Sequence, residues 1–210
     1  MSDTGSTKSP RRAPKSQNIT RVAHRVTTDE REQRNGHRGG ILWFTGLSAS
    51  GKSTLATHLE EILHKADMQV FVLDGDNVRH GLCADLGFSP ADRTENIRRI
   101  GELAQIMAGA GIVVITAFIS PYRADRDSIR TRADGVFHEI HIAAPIDVCE
   151  RRDPKGLYGK AHAGELAEFT GVSAPYEAPV NPELVINTDA LDVDACVGML
   201  ADYAKKAFAL

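Results

Sequence analysis

Ile41-Leu42-Trp43-Phe44-Thr45-Gly46-Leu47-Ser48-Ala49-Ser50-Gly51-Lys52-Ser53-Thr54 is the stretch whose reading decides the fold. Residues 41–45 form a short, mostly apolar run bounded by a glycine, which predicts a buried strand. Residues 46–54 satisfy G-x-x-x-x-G-K-[ST], the phosphate-binding loop, and Leu55, Leu59, Ile62 and Leu63 then recur at helical spacing. Strand, glycine-rich turn and helix N-terminus, in that order, turn successive backbone N–H groups toward one concavity and add the positive end of a helix. That arrangement suits the β-phosphate of a nucleotide. Lys52 is placed to reach the β- and γ-phosphates as a point charge, and the Ser53 hydroxyl to ligate Mg²⁺. Gly46, Leu47, Ser48, Ala49, Ser50, Gly51, Lys52, Ser53 and Thr54 are therefore the candidate ATP-binding set. A glycine-rich turn without nucleotide is the bland alternative, and the flanking strand and helix weigh against it.

Working outward, Val70 to Leu73 reads as a second short strand ending in Asp74-Gly75-Asp76. Ile97, Ile100, Ala104 and Met107 mark a long helix stopped by Gly109 and Gly111. The most apolar strand, Ile112 to Phe118, follows, and its composition predicts the centre of the sheet. Further strands are expected at residues 137–143 and 184–187, with helices near 122–133, 145–152 and 192–208. Residues 153–182, rich in Pro and Gly, read as a long loop, and loops of that length are usually functional lids. Apolar runs alternating with helical patterns predict an α/β fold of the P-loop NTPase type: three layers, a mostly parallel sheet with helices on both faces, and a lid.

The chain of 210 residues suits one enzyme domain, with 42% hydrophobic and 25% charged residues. No apolar run approaches the roughly 18 residues that span a bilayer, so no membrane partner is expected and a cytoplasmic location is. Cys83, Cys149 and Cys196 form no C-x-x-C pair and read as reduced, buried thiols. Residues 1–38 carry nine Lys or Arg against four Asp or Glu. Residues 1–17 lack apolar periodicity and read as a disordered basic tail. The scattered charges, without interleaved aromatics, favour a solvated tail over a nucleic-acid arm. Residues 18–40 are then an extension packing on a P-loop domain of residues 41–210, with the lid at about 153–171.

The loop alone does not name an acceptor. With no N-K-x-D motif, and no D-x-x-G after the 112–118 strand, a kinase is the better class than a GTPase. An ordered series of motifs narrows this: Asn35-Gly36-His37, Trp43 to Ser48, Leu73-Asp74-Gly75-Asp76-Asn77-Val78-Arg79, Leu86-Gly87-Phe88-Ser89 and Asp92-Arg93-Thr94-Glu95-Asn96-Ile97-Arg98-Arg99. It continues with Phe118-Ile119-Ser120-Pro121, Asp153-Pro154-Lys155-Gly156-Leu157-Tyr158, Phe169-Thr170-Gly171 and Pro175-Tyr176-Glu177. Through these motifs the chain, from about Asn18 onward, resembles the adenylylsulfate kinase (APS kinase) family. The resemblance implies phosphorylation of the 3′-hydroxyl of adenylyl sulfate by MgATP, in sulfate activation. It also implies a homodimer and a functional link to ATP sulfurylase.

Asp74 and Asp76 flank a glycine at the C-terminal end of a strand, where ligands bind in open α/β sheets. The family gives this pair metal and base work. Asp76 is the favoured base and, with Ser53, the candidate metal residue, although sequence does not separate the two roles. Arg79, Phe88, Arg93 and Asn96 are the implied acceptor-binding set, joined by Ile119, Ser120, Lys155 and Leu157. Arg offers a planar fork to the phosphosulfate dianion, and the Phe88 ring is implied to stack on adenine. Of Arg98 and Arg99, at least one should face solvent. The family assigns Ser120 as a phosphoserine intermediate. No base neighbours it in sequence, so binding of acceptor or phosphate is the preferred reading and the phosphoenzyme the lesser one. The resemblance also implies that Lys155, on the lid, adds positive charge to the transferring phosphoryl and that Arg152 packs on ATP's adenine. Three positions depart from the family pattern. Ala49 stands where Gly is usual and is comfortable only at negative φ. Thr116-Ala117 stands where a Val-Ser type pair is common, and Ala161-His162 replaces a commonly basic pair. The rival readings are another P-loop small-molecule kinase, or a nucleotide-binding regulatory subunit without turnover.

Overall fold

The computed structural model describes residues 16, 18–20, 22–133 and 135–210. The basic tail expected at 1–17 therefore lies, Ser16 apart, outside the described residues. Five strands, β1 (Gly40–Thr45), β2 (Val70–Asp74), β3 (Val113–Ala117), β4 (Phe137–Ala143) and β5 (Leu184–Asn187), form one sheet in the order β2-β3-β1-β4-β5. Every pairing is parallel.

β1, not β3, occupies the centre, which corrects the expectation drawn from apolarity. β3 is wholly buried and, Thr116 apart, apolar because helices cover both its faces, and two-faced burial says nothing about lateral position. Alternate residues of β1 feed two cores. Leu42 and Phe44, with Ile115 and Ile142, pack against α2 (Lys52–Lys65) and α8 (Val193–Ala207) through Leu59 and Leu200. Ile41 and Trp43, with Val114, pack on α4 (Pro90–Gly109) and α5 (Arg123–Arg132) through Ile100 and Ile129. Burial of each such side chain contributes about 1.5–3 kcal/mol, and this fixes which face each helix covers.

Three helices were not foreseen. α1 (Thr28–Asn35) opens with a capping box between Thr27 and Glu30. It is tied to the domain by Asn35 Nδ2 donating to Gly111 O (2.9 Å). The neighbouring His37 donates from Nδ1 to Arg38 O (2.9 Å) and accepts the Gln69 N–H at Nε2 (2.8 Å), which fixes its tautomer. α3 (Gly75–Arg79) is one turn, capped when the Asp74 side chain accepts from Asp76 N. α6 (Ile146–Arg152) matches expectation. α7 (Leu157–His162) does not, since it lies in the segment read as loop. Asp153 creates it by accepting from the N–H groups of Leu157, Tyr158 and Gly159 at 2.8–3.2 Å. That is side-chain capping, whose signal Pro154 and Gly156 obscured. The three cysteines are buried and unbridged.

Thr116, one of the departures from the family pattern, is fully buried on β3, and its Oγ1 has no hydrogen-bond partner among the described residues. A buried unpaired hydroxyl costs about 1–3 kcal/mol, whereas an apolar isostere avoids that cost. Thr116→Val should raise stability by about 1 kcal/mol in denaturant unfolding, and a loss of stability would show that the hydroxyl is satisfied.

Candidate active site

All five strands run in parallel, so their C-terminal ends lie on one edge of the sheet, and a cleft of about 1550 Å³ opens there. Of the candidate catalytic, metal-, ATP- and acceptor-binding residues, all except Gly46, Leu47 and Ser50 line it. Those three shape the loop from within. A Cβ on Gly46 would sit 2.4 Å from Ile142 O, Leu47 offers its carbonyl inward, and Ser50 is fully buried.

Lys52 is held inside the phosphate-binding loop, 8% exposed, with Nζ donating to Gly46 O (3.0 Å) and Leu47 O (2.6 Å). Burial pulls its ammonium from 10.5 down to about 8, against a partial upward pull from Asp74. Ser53 donates from Oγ to Asp74 Oδ2 at 2.6 Å. Asp76, one turn away, instead forms an exposed ion pair with Lys155. The two carboxylates thus have different partners: Asp74 belongs to the phosphate loop and Asp76 to the lid.

On the far side of Asp76, Arg79 lies over the Phe88 ring, 4.3 Å from its centroid, and donates to Gly87 O (3.0 Å). Phe88 is 63% exposed, so its other face is open to a ligand ring. Arg93 donates to Phe88 O (2.8 Å), Thr170 Oγ1 (2.6 Å) and Glu168 O, clasping the end of the lid to α4. Asn96, three residues on along the same helix, is 4% exposed, with an Oδ1 that no described group satisfies. Arg98 and Arg99 take no part in the cleft lining. Both pair with Glu95, holding its carboxyl down to about 2, and Arg99 also reaches Asp85.

Ser120 is 2% exposed, with φ +40°, and its Oγ accepts from Trp43 Nε1 at 3.1 Å. Arg152 donates to Thr188 Oγ1 (3.0 Å), and Thr188 in turn donates to Ser50 O (2.9 Å), so the residue just before the lid is wired to the phosphate loop. Tyr158 closes the Asp153–Tyr158 motif. It is 2% exposed, donates from its hydroxyl to Ser48 O (3.1 Å), and stacks edge-on with Phe169 at 5.0 Å. Tyr158, Thr188 and Trp43 are the contacts that sequence reasoning missed, because each acts through a partner distant in the chain.

Among the described residues no cluster of three or more His, Cys, Asp or Glu could hold a metal by itself. The exposed Ser53 hydroxyl beside the Asp74 carboxylate nonetheless supplies hard oxygens. These suit Mg²⁺, which keeps several waters and takes its other ligands from phosphates.

A parallel sheet ending in this loop, with Asp74, Asp76, Phe88, Arg93 and Asn96 lining the same cleft, defines a P-loop phosphotransferase. Within that class the chain belongs to the adenylylsulphate kinase family, whose model matches residues 38–187. The adenylyl-sulfate kinase of Shewanella amazonensis is 59% identical over 181 residues, 86% of this chain and 91% of that one. The Mycobacterium tuberculosis APS kinase, solved in complex with AMPPNP and APS, superposes with a TM-score of 0.77 at 47% identity, covering 80% of this chain and 98% of that one. The hexameric APS kinase of Thiobacillus denitrificans gives 0.62 at 34% identity, over 85% of this chain and 31% of its own.

Ala49 has φ +59°, the left-handed region, so the condition under which its Cβ would be comfortable is not met. A non-glycine residue there costs about 1–2 kcal/mol, while glycine loses roughly 0.5–1 kcal/mol more entropy on folding. Ala49→Gly should therefore stabilise the free protein by up to about 1 kcal/mol in denaturant melts, and a lowered melt would refute the strain. The lowered Lys52 value makes a second expectation. The ammonium is the phosphate-binding form, and it is lost in the free protein as pH rises through about 8. MgATP affinity, measured by calorimetry, should fall above that pH and be insensitive to this group below it. A flat profile to pH 9.5 would contradict the assignment.

Proposed function

We propose that the protein transfers the γ-phosphoryl group of MgATP to the ribose 3′-hydroxyl of adenylyl sulfate, giving ADP and 3′-phosphoadenylyl sulfate. One observation carries this reading. The phosphate loop and the Phe88–Arg93–Asn96 pocket open into the same cleft, with the Asp76–Lys155 pair between them. Transfer needs little covalent help from protein and much positioning and charge. Lys52 and the loop amides hold the β- and γ-phosphates, and Ser53 with Asp74 would hold the metal. Mg²⁺, when bound, neutralises charge on the β- and γ-phosphate oxygens. The Ser53–Asp74 contact favours Asp74 over Asp76 for the metal's surroundings. Asp76 then faces the acceptor and accepts its hydroxyl proton. Asn96 and Arg93 bind the acceptor's polar groups, Phe88 its adenine, and Ile119 and Leu157 line the pocket between. Lys155, freed from Asp76 when the acceptor hydroxyl engages that carboxylate, turns to the transferring phosphoryl. Arg152 borders the ATP side.

Residues 18–40 form the extension and 41–210 the kinase domain, with the lid at 153–171. Among the described residues no helix is long and apolar enough to cross a membrane, and a cytoplasmic location fits that. A homodimer is the proposed assembly; the hexameric relative supports self-association in the family. ATP sulfurylase is the proposed supplier of substrate.

The test is a panel of acceptors with MgATP: adenylyl sulfate, AMP, a nucleoside and a sugar, with ADP release followed and product identified by mass. Adenylyl sulfate should be the one turned over efficiently, and Lys52→Ala should lower that rate by about 10²-fold or more. ADP release no faster than the acceptor-free control would overturn the reading, and turnover intact in Lys52→Ala would dissociate it from this cleft.

A further inference from the structure

We propose that Trp43 and Arg126 are positioning residues for the acceptor side of the reaction, holding Ser120 in a backbone conformation it would not adopt unaided. This rests on the function proposed above. Ser120 lines the cleft, yet at φ +40° it lies in the region that residues with a Cβ rarely enter. Such a conformation persists only where its surroundings over-determine it. They do so here from three sides. The Trp43 indole N–H donates to Ser120 Oγ (3.1 Å). Arg126, 1% exposed, donates from one terminal nitrogen to Ser120 O (2.6 Å) and from the other to Glu177 O (2.7 Å), while its Nε–H engages Glu139. The flanking residues are held as well. Thr45 Oγ1 donates to Ile119 O (2.7 Å), and Glu177 N to Pro121 O (2.9 Å).

The chemistry of the partners decides what Ser120 offers. Indole N–H is a donor only, so it occupies a lone pair of Oγ and leaves the hydroxyl proton as the group available to the cleft. Trp43 cannot remove that proton, and its hydrogen bond lowers the nucleophilicity of the oxygen. Ser120 is thereby set up as an aimed hydrogen-bond donor to an anionic oxygen of the bound substrates. Arg126 fits its part because three acceptors in three directions require the planar fork, which lysine lacks. Glu139 compensates its charge within the interior, and Arg130 completes that network with Glu183. Through Ser120 O and Glu177 O, one guanidinium locks the Phe118–Pro121 segment to the Pro175–Glu177 segment.

Trp43→Phe is the primary variant, because it removes the N–H while keeping a ring against Phe118 and Phe137, the neighbours of the indole. Wild-type turnover of adenylyl sulfate tests the functional reading by itself, and without it both inferences fall. With that turnover in hand, Trp43→Phe should lower kcat/KM for adenylyl sulfate by about 10- to 100-fold. The calorimetric Kd of MgATP should stay within about twofold, since the phosphate loop is untouched. In a Ser120→Ala background the same substitution should have no further effect on acceptor affinity or turnover, as expected when one residue acts through another. Arg126→Lys should reproduce the acceptor-side loss, and the folded fraction of each variant is checked by its melting curve. An acceptor kcat/KM within twofold of wild type in Trp43→Phe would overturn the proposal. So would an equal loss of MgATP affinity, or a Trp43→Phe effect that persists without the Ser120 hydroxyl.

Discussion

Gly46 is where the chain leaves β1, and a Cβ there would approach the carbonyl oxygen of Ile142 on β4 to 2.4 Å and Ser50 Oγ to 2.8 Å. Both are closer than carbon and oxygen tolerate, so the loop hugs the neighbouring strand only because no side chain stands between them. Much of the site follows from that approach. The carbonyls of Gly46 and Leu47 turn inward and hold Lys52. The buried Ser50 presents its carbonyl to Thr188, just beyond β5, which binds Arg152 at the edge of the lid. One steric allowance at the end of the central strand thus couples β1, β4, β5 and the lid.

The strand–loop–helix core was legible because its signals are local: an apolar run, a glycine-spaced turn and helical periodicity. β4 and β5 fall on the expected residues 137–143 and 184–187, since a short apolar run writes itself directly into composition, even in the edge strand β5, where Ile186 alone is buried. Lateral order did not, and β3 was mistaken for the centre for that reason. α7 was hidden because its stability comes from Asp153 capping three amides and from Tyr158 reaching Ser48, neither of which periodicity registers. At the site, residue types suggested which groups belong to the cleft but not which carboxylate partners which cation. The Ser53–Asp74 and Asp76–Lys155 pairings span 21 and 79 positions of sequence, and only the packing of β2 beside β1 and of the lid above them brings the groups together.

Two residues with a Cβ, Ala49 and Ser120, hold left-handed backbone conformations within the cleft lining. They are not equivalent. Ser120 is fixed by an indole, a guanidinium and hydrogen bonds on either side of it, so its strain is sustained by specific partners and serves to aim a hydroxyl. No hydrogen bond from a side chain of Ala49 is possible, and the conformation there is imposed by the loop's need to close around Lys52. Strain at Ser120 therefore sharpens a function, whereas strain at Ala49 opposes the closure of the phosphate loop without a chemical return.

Electrostatics distinguishes the two halves of the cleft in the same way. Lys52 is almost wholly buried and bound by neutral carbonyls, so its charge is sustained at the expense of desolvation and its pKa drops to about 8. A phosphate dianion arriving beside it relieves that cost, which makes the loop's affinity for anions strongest when water is excluded. Lys155 sits in the opposite condition, exposed and paired with Asp76, where screening keeps the bond worth no more than about 1 kcal/mol. A contact that weak can be exchanged. In the reaction we propose, an acceptor hydroxyl competing for Asp76 displaces the ammonium at little cost and leaves it free to move toward the phosphoryl group. On that proposal the deep lysine belongs to binding and the shallow one to the moment of transfer. The same proposal puts that second charge under substrate control, because α7 is tied to the phosphate loop through Tyr158 while Lys155 is paired with a carboxylate that the acceptor would engage.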